Sequence, residues 1–265
     1  MITSQMILHP DDSKALQVLK SIPFVDTICR KIMKWSDEGM CKGYNMSSYI
    51  LITKENMPKV YNLFKDVVNK VGIEEPELYV YNDPFMNAYT YGEVKPFVAV
   101  SSSCIEKMED DELQAIMAHE CGHILCKHVL YNSVANLLWV LGDKIGNFGM
   151  KLNGPIYMAL HYWSRKSELS ADRCAAAVVG EDAFQRTMMK LSCGLTHLPI
   201  TTKQLVQQGK EYKRMLEDSL LNKIRFYSDV SWHSHPRLCC RALEIDRWKN
   251  SFAYRTLRET EYEKK

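Results

Sequence analysis

His119-Glu120-Cys121-Gly122-His123 follows Asp110-Asp111-Glu112-Leu113-Gln114-Ala115-Ile116-Met117-Ala118, a run that opens with three acids and continues in helix-forming residues. Acidic side chains suit the positive end of a helix dipole, so the run predicts the first turns of a helix that carries the five-residue motif. Residues four apart share one helical face. His119 and His123 therefore aim two imidazoles at one metal ion, and Glu120 sits one step round, beside a water on that metal.

A catalytic zinc takes three protein ligands and leaves a fourth position to water, so a third ligand is needed. A third histidine six residues beyond His123 is excluded: Val129 stands there, and Cys126 stands midway where a glycine belongs. His128 lies five residues beyond His123, about 140° round a continuing helix, and reads as a surface or second-layer histidine. The better candidate is Glu168, in Trp163-Ser164-Arg165-Lys166-Ser167-Glu168-Leu169-Ser170-Ala171-Asp172-Arg173-Cys174-Ala175-Ala176-Ala177. The small Ser, Ala and Cys positions of this stretch let a second helix approach the first closely, and Glu168 and Asp172 project from one face. Two carboxylates on such a face are costly to bury without a cation. A metal removes that cost for Glu168, and a ligand imidazole N–H can engage Asp172. Taken alone, the stretch also fits a solvated helix in which Arg165 and Lys166 pair with Glu168.

H-E-x-x-H followed by E-x-x-x-D on a later helix resembles the gluzincin metalloendopeptidases of the HtpX-like and type I CAAX prenyl protease family. Asn87-Ala88-Tyr89-Thr90-Tyr91-Gly92, then Phe97-Val98-Ala99-Val100-Ser101, is similar to that family's N-A-x-x-x-G stretch and the strand leading into its metal helix. Ser234-His235-Pro236, with Arg241 five residues after the proline, is similar to its S/T-H-P-x-x-x-x-R motif. Four motifs thus fall in the family's order between Glu74 and Arg241, and the preceding residues carry none.

The resemblance implies one zinc per chain on His119, His123 and Glu168, with Glu120 as general base. It implies His235, and not the neighbouring His233, as the second donor to the oxyanion, with Asp172 and Arg241 in support. It makes Asn87, Ala88 and Tyr89 the strand edge along which a polypeptide substrate lies. The expected activity is that of a zinc metalloendopeptidase on unfolded or extended polypeptides. A catalytically weak, chaperone-like metal-binding module is the first rival, and the intact Glu120 speaks against it. A zinc hydrolase of a small amide or ester is the second, and a closed cleft without a free strand edge would favour it.

At 265 residues and 46% hydrophobic, the chain can bury one sizeable core. With a net charge of +2 and both signs interspersed, nothing points to nucleic acid, and no such partner is expected. Nine cysteines, an odd number without zinc-knuckle spacing, read as free thiols in a reducing cytoplasm, and no signal pattern opens the chain. Cys121 reads as a small buried hydrophobe. Family members are commonly integral membrane proteins, yet the longest apolar run after the metal helix here is only about ten residues, against about twenty for a span. The expectation is a soluble chain with no integral membrane segment. Residues 131–163 are then a helical hairpin packed over the core, membrane-surface contact being the secondary reading. Oligomeric state is left open.

Apolar spacing predicts two helices within 12–40 broken at Pro23, a helix from Pro58 to Lys70 ending at Gly72, and strands at Leu78 to Tyr81 and Phe97 to Ser101. Helices then follow at 104–131, 164–179, 182–194, 203–228 and 236–249. The fold expected is α+β, a mainly helical zincin-like metalloprotease with a small β-sheet over the HExxH helix. Its parts are an N-terminal helical segment 1–72 (clasp or lid, the clasp preferred), a gluzincin domain 73–250 with the 131–163 insertion, and a C-terminal tail 251–265.

Overall fold

A computed structural model describes residues 1–36, 38–145, 147–197, 199–219 and 237–262. The chain opens with helices α1 (Ser4–Ile7), α2 (Pro10–Lys20), α3 (Val25–Ser36) and α4 (Glu38–Ser48). Strand β1 (Ile50–Leu51) and helix α5 (Pro58–Val71) lead to β2 (Glu77–Tyr81), β3 (Ala88–Tyr91) and β4 (Phe97–Ser101). The rest is helical: α6 (Ser102–Lys107), α7 (Asp110–Leu125), α8 (Val129–Ile145), α9 (Asn147–Val179), α10 (Glu181–Cys193) and α11 (Thr202–Glu217), then α12 (Leu238–Trp248) and α13 (Phe252–Tyr262).

The sheet runs β1-β2-β4-β3, with β2 and β4 parallel and both outer pairs antiparallel. A parallel pair needs a crossover, and β3 supplies it by leaving β2 and returning along the far side of β4. Strand β4, with both neighbours paired, is buried from Phe97 to Ser101. Strand β3 has no partner on its outer edge among the described residues. Val98 and Val100 face the main core, while Phe97 and Ala99 face a tyrosine-rich cluster with Tyr79, Tyr81, Tyr89 and Tyr49.

Helix α7 is the centre of the molecule. Glu109 and Glu112 form a capping box at its start, and Lys190 Nζ binds Glu112 Oε2 at 2.6 Å, tying α10 to the same turn. Leu113, Ala115, Met117, Ala118, Cys121 and Gly122 are buried on several sides, as a helix wrapped by others requires. Helix α9 crosses it most closely. A Cβ on Gly122 would lie 2.7 Å from Cys174 Cβ and 3.1 Å from Ala171 Cα, so the glycine sets the spacing between the two helices. Ala171 and Cys174 of α9 face this contact.

Several boundaries differ from the sequence reading. The helix expected over 104–131 is three helices. Glu109 caps α7 after a break at Met108, and Lys127, with φ 59°, breaks the chain again before α8. Helix α4 and strand β1 carry too few patterned residues to be recognised from sequence. Gly72 ends α5 in the left-handed conformation (φ 79°) as expected. The segment read as a tail forms α13, whose Tyr254 and Leu257 enter the main core. Ile7, Ile52, Phe64 and Val67 share that core with Ile116 and Met117, so packing is continuous across residue 72. Within the hairpin region, Tyr131, Val134, Leu160 and Trp163 are buried with Leu19, Cys29 and Met33 of the N-terminal helices.

Candidate metal centre

Helices α7 and α9 bring His119, His123 and Glu168 together as the one such group of three among the described residues. His119 Nε2 lies 3.2 Å from His123 Nε2 and 3.4 Å from Glu168 Oε2, and His123 Nε2 lies 3.3 Å from Glu168 Oε1. Donors about 2.0–2.1 Å from a tetrahedral zinc stand about 3.3 Å apart, close to the His119–His123 separation, and each imidazole meets a different oxygen of the Glu168 carboxylate at a similar distance. Charge supports the same fit. Glu120, Glu168 and Asp172 are all buried, with Arg241 the guanidinium beside them among the described residues, and a dication would offset this concentration of carboxylates. Burial alone would lower the affinity of His119 for a proton, yet the carboxylates of Asp172 and Glu168 hold its pKa up at about 10. The residues present therefore fit a divalent metal.

Asp172 lies one turn beyond Glu168 on α9. Its Oδ1 is 3.1 Å from His119 Nδ1, off the line of a straight hydrogen bond, on the side of the ring away from the metal donors. Arg241 of α12 clamps the same carboxylate, Nε donating to Oδ2 at 2.8 Å and Nη2 to Oδ1 at 2.5 Å. Burial would raise the Asp172 carboxyl, but Arg241 and His119 hold it below the usual range. Arg241 is thus the pin between α12 and the metal helices. His235, with His233 beside it, lies outside the described residues, so the histidine assigned by resemblance to the oxyanion has no position here.

Glu120 is held from the sheet. Thr90 Oγ1 donates to Glu120 Oε2 at 2.8 Å, and both side chains are buried. Sequence reading passed over Thr90. Strand alternation groups Ala88 with Thr90 and sets Tyr89 on the other face, without saying which face meets α7. Asn87 and Ala88 line a cavity of about 240 Å³ that contains His119, Glu120 and Glu168. Tyr89, grouped with them by resemblance, turns its ring away and donates from its hydroxyl to Tyr49 at 3.2 Å. The other cavity walls are largely apolar: Met86, Ile116, Phe184, Met188, Leu191 and Leu238.

His123 has a neighbour that helical extrapolation misplaced. Because Lys127 is left-handed, the amide of His128 donates to His123 O at 2.9 Å and the ring turns back, Nδ1 lying 3.1 Å from His123 Nδ1. His128 is 1% exposed, so the surface alternative is ruled out. Its Nε2 is 3.0 Å from Oδ2 of Asp12, a fully buried carboxylate of α2.

An α+β body with a buried H-E-x-x-H helix, a facing glutamate and a small sheet beside it defines a zincin-like metalloprotease. The chain matches Peptidase family M48 over residues 54–249 and belongs to it. It is 31% identical over 255 residues to the plastoglobule-localized metallopeptidase 48, chloroplastic, of Arabidopsis thaliana, covering 94% of this chain and 74% of that relative. Protease HtpX homologs of Helicobacter acinonychis and Helicobacter pylori are 30% and 27% identical, over 76% and 72% of this chain and 69% and 66% of their own lengths. The chain is therefore an HtpX-like metalloprotease, acting on polypeptides. No helix among the described residues is long and apolar enough to cross a membrane.

Proposed function

We propose that this metalloprotease is a zinc endopeptidase that cleaves within extended or unfolded polypeptides. The observation that carries the reading is the cluster of His119, His123 and the Glu168 carboxylate, each pair in contact at 3.2–3.4 Å, next to a Glu120 carboxylate already oriented by Thr90. When bound, zinc would supply a Lewis acid that polarises water and the scissile carbonyl.

Glu120 accepts the proton of the attacking water and passes it to the leaving amine. The Thr90 hydroxyl fixes one of its oxygens and leaves the other for this exchange. Asp172 and Arg241 hold His119 in place, and His235 is proposed as the donor to the developing oxyanion. Asn87 pairs inward with Ser101, so alternation turns the amide and carbonyl of Ala88 to the open edge of β3, where a substrate strand adds. The apolar cavity wall of Ile116, Phe184 and Met188 then receives a side chain flanking the scissile bond.

Residues 1–72 serve as a clasp around a metallopeptidase domain. The cysteines whose side chains are described are free thiols, in keeping with a reducing compartment such as the cytoplasm. The test of function is digestion by the zinc-loaded full chain of unfolded casein and of a quenched peptide blocked at both ends. Cleavage of both, abolished by a chelator and restored by zinc, is expected. Zinc-loaded chain that cleaves neither, or cleaves only free termini, contradicts the endopeptidase reading.

A further inference from the structure

We propose that Asp12 and His128 are positioning residues for His123: helix α2 reaches into the metal centre and fixes which ring nitrogen of His123 is left for the metal. The proposal rests on the metal-site reading above, and its test separates the two.

The argument is one of donors and acceptors. His123 Nε2 faces His119 and Glu168, at 3.2 and 3.3 Å, while its Nδ1 lies 3.1 Å from His128 Nδ1. Two ring nitrogens at that distance need one proton between them, and the structure determines where it sits. Asp12 accepts from Trp163 Nε1 at 3.0 Å and from Ser170 Oγ at 2.6 Å, and Ser170 Oγ in turn accepts from the amide of His9 at 2.9 Å. A carboxylate has only acceptors to offer, so His128 Nε2, 3.0 Å away, must carry the hydrogen. Neutral His128 then has a lone pair on Nδ1, and His123 must donate to it from its own Nδ1. The Nε2 lone pair of His123 is left facing the other two ligands. Reversing the His123–His128 link in a neutral His128 would leave its Nε2 lone pair facing the Asp12 carboxylate, two acceptors against each other.

The relay gives the buried Asp12 carboxylate a role beyond its bonds to Trp163 and Ser170. A fully buried carboxylate is an expensive way to pack one helix on another, since an apolar side chain of similar size would do so without desolvation. His119 reaches its carboxylate, Asp172, directly; His123 reaches one through His128. The carboxamide of Asn132, whose nitrogen lies 3.4 Å from His123 Nδ1, is the competing partner once its oxygen is turned to the ring. If the relay acts as proposed, α2 is part of the metal centre and is not a removable propeptide.

The experiment is the zinc dissociation constant of the full folded chain, read by competition with a chromophoric chelator below the melting temperature of every variant. Asp12→Asn and His128→Leu should each weaken zinc by ~10 to 100-fold, as loss of outer partners of a ligand does. His128→Gln, which keeps an acceptor and a donor, should recover part of the loss. The Asp12→Asn/His128→Leu double variant should bind no more weakly than the weaker single, because both break one chain. Leu160→Ala, in the same core cluster but outside the relay, should lower the melting temperature and leave zinc affinity unchanged. Dissociation constants for Asp12→Asn and His128→Leu within about threefold of wild type, or a loss matched by Leu160→Ala, overturn the proposal. A loss appearing in Asn132→Ala alone assigns the role to Asn132 and overturns it as well. A wild-type chain that binds no zinc overturns the metal-site reading instead.

Discussion

At the scale of single residues, Glu120 and the groups around it carry the sharpest expectations. Glu120→Gln keeps the size of the side chain and the Thr90 contact but cannot take a proton, so kcat should fall by about a hundredfold or more with zinc content unchanged. A smaller loss in steady-state peptide hydrolysis would remove Glu120 from the role of base. Thr90→Val removes the hydroxyl at nearly constant volume. A hydrogen bond to a charged group is worth about 1.5–3 kcal/mol, so kcat should drop by roughly ten- to a hundredfold while KM holds. An unchanged kcat in Thr90→Val would mean that the 2.8 Å contact does not orient Glu120. The grouping of His119, His123 and Glu168 was legible in part, because helical spacing pairs His119 with His123 and Glu168 with Asp172. Thr90 was not, because its contact depends on which face of β3 meets α7. Asp12 was not, because its partners His128, Trp163 and Ser170 are more than a hundred residues away in the chain.

At the scale of elements, the crossing of α7 and α9 sets the site, since one helix holds His119 and His123 and the other Glu168. Gly122→Ala should disturb that crossing. The added methyl would meet Cys174 Cβ at 2.7 Å and the Ala171 backbone at 3.1 Å, neither of which can swing away. Overpacking of this kind costs about 1–3 kcal/mol, and here it also spreads the ligands, so both the melting temperature and zinc affinity should fall. Thermal unfolding and zinc binding that match wild type would show that the helices have slack. The small residues of α9 announced this close approach in the sequence. The end of α7 was misjudged for a local reason: a continuing helix sends His128 away from His123, whereas a left-handed Lys127 turns it back. No glycine marks that turn, and a left-handed lysine leaves no sequence signal.

At the scale of the whole molecule, the N-terminal helices, the sheet and the metal helices share buried surfaces, so the metal should stabilise all of them together. A ligand held at a thousand times its dissociation constant adds roughly 4 kcal/mol to stability. For a chain of this size, stripping zinc should therefore lower the melting temperature on the order of 10 °C. A melting curve indifferent to chelation and to added zinc would mean that no metal binds the folded state. The class of fold followed from one helix and its ligands, while the reach of α2 into that helix could be seen only in three dimensions.

The most direct test of the account is anomalous diffraction at the zinc absorption edge from crystals of the full chain grown with zinc. The account predicts one strong site per chain, bonded to Nε2 of His119, Nε2 of His123 and a carboxylate oxygen of Glu168, with bonds about 2.0–2.2 Å long. No site between α7 and α9, or a zinc held there by His128 or a cysteine in place of Glu168, would contradict it.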